Sequence, residues 1–167
     1  MKRVQELYED VLRDLVIPQP FDVDDICAQV SKRRNRPLRL LPMQGMSGSA
    51  PCGMWLATGE ADYIFYEPNT SRLHSEHIVL HEIGHLLGDH TQNLRTDSSL
   101  ISRLLPSLNP ETVKRVLGRA SYTTEQEREA ELFASLVRAR AGRESSYGEA
   151  GGAGVAQAIA DAFQYYR

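Results

Sequence analysis

The segment His-Glu-Ile-Gly-His at residues 81–85 is the part of this chain best suited to metal chemistry. Residues four apart lie on one face of an α-helix, so His81 and His85 can reach a single ion, while Glu82 projects about 100° away. Glu82 can then act as a base toward an attacking water. This is the HExxH pattern of zinc hydrolases, whose catalytic zinc typically takes three protein ligands. The pattern predicts a zinc site that needs a third ligand.

The residues around this motif predict a helix whose two histidines face a cleft. Gly84 lies within the predicted helix although glycine is a poor helix former. Its presence there indicates that another group approaches the backbone closely. The side opposite the histidines is apolar and consists of Val79, Leu80, Ile83, Leu86 and Leu87. We expect this face to pack on the core.

The candidates for the third ligand are glutamates at the start of a later predicted helix. These are Glu125, Glu127, Glu129 and Glu131. Glu127 lies closest to the apolar stripe of that helix, Glu131 comes next on the same side, Glu129 lies on the other flank and Glu125 faces away. Glu127 is therefore the preferred ligand and Glu131 the second choice. Glu131 is also well placed to accept a hydrogen bond from a ligand histidine.

A capping box gives Glu127 a competing role. Thr124 and Glu127 match the pattern in which the glutamate bonds the amide of the N-cap residue. Thr123 and Gln126 match it as well, and that choice leaves Glu127 for the metal.

Other histidines lie close to the motif. His77 and His81 form a rival pair one helical turn apart, but no glutamate follows His77, so we expect His77 to line the cleft or to bond a ligand. The longer motif HExxHxxGxxH is excluded because Thr91 stands at its last position and His90 is one residue out of register. His90 receives no role from this pattern.

The remaining segments predict helices and short strands. A helix at the start of the chain ends before Pro18, and Asp22 is a plausible N-cap for a second helix that stops before Asn35. Three β-like runs follow at residues 38–41, 54–57 and 63–66. The last is apolar throughout, so it is expected to be buried on both faces or to lie along the cleft, where it could pair with an extended peptide. A short helix is expected at residues 109–118.

Composition limits the classes of function. The 167 residues carry a net charge of -3, which gives no general attraction to nucleic acid or anionic lipid. No run is long enough to span a membrane, and the basic run at residues 32–36 is best explained as a solvated helix end. Cys27 and Cys52 lie outside metal-binding spacings and are expected to be buried thiols of a cytoplasmic protein. Neither direct nucleic-acid binding nor membrane association is expected.

The chain resembles the ImmA/IrrE-like metallopeptidases of bacteria and their mobile elements. The resemblance covers roughly residues 1–140 and rests on HEIGHLL at 81–87, EREAELFA at 127–134 and the Tyr-Ile-Phe-Tyr run. It implies zinc on His81, His85 and Glu127, with Glu82 as base. It also implies a helix-turn-helix repressor as substrate, whose cleavage switches on stress-response or mobile-element genes. Glu131 departs from the family, which often has Asn there.

The sequence thus predicts an α+β fold, in which a small three-stranded sheet packs with helices and a zincin-like HExxH helix precedes a helical C-terminal part. The metallopeptidase domain is expected at 1–140, a flexible linker at 141–154, and a short helix or tail at 155–167. The expected function is zinc-dependent endopeptidase. Two alternatives stay open, a non-catalytic metal-containing regulator that binds a repressor or DNA, and a toxin-type hydrolase. Tyr122 is a weak candidate for stabilising the oxyanion.

Overall fold

The computed structural model describes residues 2–43, 52–57, 61–90 and 122–146. These residues form a mixed α+β arrangement, as predicted. Its elements are α1 (Lys2–Asp14), α2 (Val23–Arg34), β1 (Leu38–Pro42), β2 (Gly53–Ala57), β3 (Asp62–Tyr66), α3 (Arg72–Leu87) and α4 (Thr124–Ser146). The helix expected at 109–118 and the segment expected at 155–167 lie outside these residues. None of the helices described is long and apolar enough to cross a membrane.

The three strands form one sheet in the order β1-β3-β2. β3 runs parallel to β1 and antiparallel to β2, with Ile64 opposite Leu40 on one side and Trp55 on the other. This central place explains the continuous apolar run of β3, since Ile64 and Phe65 are both buried. Both edges of β3 are occupied by neighbouring strands, so of the two alternatives burial applies, and β3 has no open edge for an extended peptide. β2 is an edge strand of the described sheet and packs on α3.

Local signals set the ends of α2. The Asp22 carboxylate accepts a hydrogen bond from the amide of Asp24 at 2.9 Å and caps the N-terminus, as predicted. Asn35 takes the left-handed conformation, with φ of 50°, and ends the helix. A short polar side chain tolerates that conformation better than most. The predicted boundaries of this helix are confirmed.

The basic run at the end of α2 is more than a solvated helix end. Arg36 Nε lies 3.1 Å and Arg34 Nε 3.5 Å from Oδ2 of Asp62, a carboxylate that is only 1% exposed. Trp55 donates its indole N–H to the other oxygen of Asp62 at 3.2 Å. A buried carboxylate needs such partners to offset its lost hydration. These two arginines therefore tie the end of α2 to β3.

Helices α3 and α4 meet backbone to backbone at Gly84. A Cβ atom on Gly84 would lie 2.7 Å from Cα and 2.8 Å from the carbonyl oxygen of Ala130. The close approach that the glycine predicted is therefore confirmed. Tyr8 of α1 is fully buried and donates its hydroxyl to the Gly84 carbonyl at 2.8 Å, so a third helix is fastened at the same place.

Helix α4 continues into the segment predicted as a flexible linker. It ends at Ser146, and Ala141 is buried in the core cluster. The composition of residues 141–146 suggested flexibility, but alanine, arginine and glutamate are good helix formers, and burial of Ala141 adds packing. The linker prediction is wrong for these residues, and residues 147–154 lie outside the described part.

Replacing Gly84 by Ala should push α3 and α4 apart. We expect the free energy of unfolding to fall by about 2 kcal/mol because the added methyl meets rigid backbone. Gly142→Ala is the matched control, since a Cβ on Gly142 meets nothing within 4 Å and alanine favours the helix. Urea denaturation of both variants measures the difference. Equal stability of Gly84→Ala and the wild-type protein would contradict the contact.

Candidate metal centre

The start of α4 decides what Glu127 does. Thr123 donates its amide to Oε1 of Gln126 at 2.9 Å, and the Gln126 amide donates to Oγ1 of Thr123 at 3.2 Å. This reciprocal pair is the capping box, so the competing box of Thr124 and Glu127 does not form. The carboxylate of Glu127 is therefore available to the cleft. It points toward the histidines of α3.

His81, His85 and Glu127 converge to form a group that can hold a metal ion. His81 Nε2 lies 3.0 Å from His85 Nε2 and 3.2 Å from Glu127 Oε2, and His85 Nε2 lies 3.7 Å from Glu127 Oε1. Bonds of about 2.05 Å to a tetrahedral ion would separate its ligand atoms by about 3.3 Å. The observed spacings bracket that value, so the described side chains need little movement to bind an ion.

The two histidines of the group differ in their electrostatic surroundings. Burial lowers the pKa of His81, but Glu127 and Glu131 outweigh burial and raise it to about 10. His85 behaves in the opposite way, because burial and the neighbouring His81 and His90 lower its pKa to about 2. In the metal-free protein a proton on His81 therefore supplies the positive charge that an ion would bring.

Glu131 holds two histidines from outside the ligand group. Its Oε2 lies 3.1 Å from His77 Nε2 and 3.4 Å from His81 Nδ1. Burial raises the pKa of Glu131, but the two histidines reverse this effect and lower it to about 2. The carboxylate is thus charged and can orient His81. His77 lines the cleft and binds Glu131, so the rival pair of His77 and His81 does not converge.

His85 has a different partner, which the sequence did not reveal. His90 Nδ1 lies 3.0 Å from His85 Nδ1, and His90 Nε2 lies 3.0 Å from Glu129 Oε2. Burial lowers the pKa of His90, although Glu129 opposes this shift. Residue spacing within the motif bears on His90 only as a direct ligand. Its actual position depends on the turn after α3, where Asp89 adopts a positive φ of 49°.

Glu82 lies beside the ligand group without belonging to it. Its side chain is buried, and its Oε2 accepts a hydrogen bond from the backbone amide of Trp55 at 2.8 Å. Burial raises its pKa to about 7, although His81 and the Trp55 amide oppose the shift. A Cβ on Gly53 would lie 3.0 Å from Glu82 Oε1, so glycine leaves room for this carboxylate.

A cleft of about 440 Å³ opens onto these residues. Its walls include Cys52, Met54, His77, Ile78, Glu82 and Tyr122. The Tyr122 ring stacks on His85 with centroids 3.5 Å apart and planes inclined by 10°. Cys27 is buried as predicted, but Cys52 is exposed, so the expectation for Cys52 is wrong. Cys52 lines the cleft directly before the first residue of β2.

No family model, curated protein or solved structure matches this chain. The similarity in motifs to one metallopeptidase family therefore remains a resemblance. Helix α3 supplies two imidazoles and a buried carboxylate to the site, and α4 supplies an exposed carboxylate.

Removing the carboxylate of the ligand group should weaken metal binding. We expect Glu127→Gln to lower the affinity for zinc by more than about 100-fold, the upper range for losing an outer partner of a ligand. Glu125→Gln is the matched control because Glu125 is exposed in the same turn and lies outside the ligand group. Competition with a chromogenic chelator measures both affinities. Equal losses in the two variants would show that general charge, not ligation, is responsible.

Metal affinity should rise with pH. An ion needs the lone pair of His81 Nε2, and a pKa of about 10 means that a proton occupies this histidine at neutral pH. Between pH 6 and 8 the affinity should therefore increase by about tenfold per pH unit, with about one proton released per ion bound. Calorimetry in buffers of different ionisation enthalpy measures that release. An affinity independent of pH would contradict the proton on His81.

Proposed function

We propose that this protein is a zinc-dependent endopeptidase. The observation that carries the proposal is the place of Glu82, a buried carboxylate that faces the same cleft as the ligand group without joining it. A purely structural metal site has no use for such a group. A hydrolase needs one, because a base must take a proton from the attacking water.

Zinc fits the residues of the ligand group. Two imidazole nitrogens and one carboxylate oxygen form a ligand set known from catalytic zinc sites, and their separations suit a tetrahedral ion. When bound, zinc would lower the pKa of a water molecule to about 7 and polarise a carbonyl group. His81, His85 and Glu127 would hold it.

The residues around the cleft supply proton transfer. The pKa of Glu82, raised to about 7, lies near the operating pH, where a carboxylate both accepts and returns a proton readily. Glu82 would take the proton of the attacking water at the scissile carbonyl and pass it to the leaving amine. The hydrogen bond from Trp55 holds the carboxylate in place during both steps.

The geometry favours an open coordination position over a closed structural site. Within the described ranges the group has three members, while a structural zinc site takes four protein ligands. His90 is the nearest further histidine, but it contacts Nδ1 of His85, on the far side of that ring from the ligand atom. This supports the enzyme over the non-catalytic regulator.

The substrate would be an extended segment of a protein. β2 is an edge strand of the described sheet, and its residues Gly53 and Met54 line the cleft. An extended peptide can add to such an edge through main-chain hydrogen bonds. By the motif resemblance, the substrate would be a helix-turn-helix repressor in the cytoplasm. Its cleavage would switch on stress-response or mobile-element genes.

Glu82→Gln should slow cleavage strongly but keep the metal. The amide oxygen still accepts the Trp55 hydrogen bond, while the side chain no longer takes a proton, so the rate should fall by about 10²- to 10⁴-fold. Zinc-loaded protein is incubated with a proteome-derived peptide library and with helix-turn-helix proteins encoded beside its gene. Mass spectrometry then identifies new termini.

Glu76→Gln is the matched control for this experiment. Glu76 is a second buried glutamate of α3, but its partners are Arg72 and Arg138 and it does not line the cleft. Cleavage by this variant should equal that of the wild-type protein. New termini that form at the wild-type rate in Glu82→Gln, or after removal of zinc by a chelator, would refute the proposed mechanism. Zinc-dependent binding of a repressor without any new terminus would favour the regulator.

A further inference from the structure

We propose that the buried pair His90 and Glu129 fixes His85 in the tautomer whose Nε2 is open to a metal ion. These two are positioning residues, since neither belongs to the ligand group. The inference rests on the proposed function through its metal site alone, and does not require that the protein cleaves peptides. It assigns a task to two buried polar side chains that the proposed mechanism does not use.

The three side chains form a chain of contacts leading away from the cleft. His85 Nδ1 lies 3.0 Å from His90 Nδ1, and His90 Nε2 lies 3.0 Å from Glu129 Oε2. The side chains are 1%, 4% and 11% exposed, respectively. Water therefore has little access to these contacts, and each polar atom depends on its protein partner.

The order of donors along this chain follows from hydrogen-bond chemistry. A carboxylate only accepts, so Glu129 requires a hydrogen on Nε2 of His90. A neutral His90 then has an accepting Nδ1, which requires the hydrogen of His85 on its own Nδ1. This leaves the lone pair of His85 Nε2 directed at His81 and Glu127, the place where an ion would bind. The opposite tautomer of His85 would direct an N–H at that place.

Gly88 keeps the His90 ring where this chain needs it. A Cβ on Gly88 would contact the ring, lying 2.7 Å from both Cδ2 and Cε1 of His90. The backbone of Gly88 is right-handed, with φ of -72°, so alanine would fit its conformation. A side chain at residue 88 would therefore conflict with the His90 ring and not with the backbone conformation of residue 88.

The test uses His90→Leu, which removes the acceptor, and Gly88→Ala, which displaces the ring without changing any polar group. Both should lower zinc affinity by about 10- to 100-fold, as loss of an outer partner does. Asp89→Asn is the matched control, because Asp89 is exposed and its left-handed backbone suits asparagine. It should retain wild-type affinity. Chemical denaturation establishes which variants are folded, and Gly88→Ala carries the test if His90→Leu is not.

Long-range proton–nitrogen NMR of the metal-free protein reports the tautomer of His85 directly. The spectra are recorded in a His81→Ala background, because an N–H on His81 Nε2, 3.0 Å from His85 Nε2, would by itself hold the hydrogen of His85 on Nδ1. In that background the otherwise unchanged protein should show the hydrogen on Nδ1, and both variants should show at least partial transfer to Nε2. A weaker affinity with an unchanged tautomer would mean a merely structural role and overturn the proposal. So would unchanged zinc affinity in a folded variant. If the wild-type protein failed to bind zinc, the proposed function would fall, while the NMR result would still decide the role of His90.

Discussion

The site depends on the direct backbone contact between α3 and α4 at Gly84 and Ala130. Because Gly84 has no side chain, the two helices approach so closely that a Cβ atom on residue 84 would overlap the backbone of Ala130. At that separation a glutamate one turn before Ala130 is near the histidines on either side of Gly84. Tyr8 strengthens the same contact by donating to the Gly84 carbonyl. The core and the site are therefore built around one close approach of helices.

Alternation along α4 distributes three carboxylates around the two ligand histidines. Glu127 and Glu131 are one turn apart and lie on the side of His81, where one can bind the metal and the other contacts His81 Nδ1. Glu129 projects to the other flank and reaches His85 through His90. Each histidine of the motif thus has a carboxylate behind it, which orients the ring and supports its ligand nitrogen.

Concentrated negative charge makes the surroundings of His81 favourable for a cation. Carboxylates contact His81 from two directions, and a low local dielectric strengthens that attraction. The result is a high pKa for His81 beside a low pKa for His85, so two chemically identical ligands differ sharply in their affinity for protons. A metal ion would satisfy both at once, because it accepts lone pairs from the two rings and offsets the charge of Glu127.

The sequence by itself determined features that depend on neighbours along the chain. Helical spacing placed His81, Glu82 and His85, glycine marked the close approach at residue 84, and capping residues set the ends of α2. The α+β class and the three strands followed from short-range patterns in the same way. The sequence allows two capping boxes at the start of α4, and the one that forms pairs Thr123 with Gln126.

Tertiary structure alone decided what Glu129 touches, because helical phase gives a direction but not a partner. The pairing of His90 with Glu129 joins residues 39 positions apart across the α3–α4 contact, and no local pattern encodes it. The composition of residues 141–146 predicted a flexible linker, but these residues belong to α4. The burial of Ala141 comes from core residues that are distant in sequence, which composition does not reveal. Cys52 is exposed at the cleft directly before β2, a placement that residue spacing along the chain does not reveal.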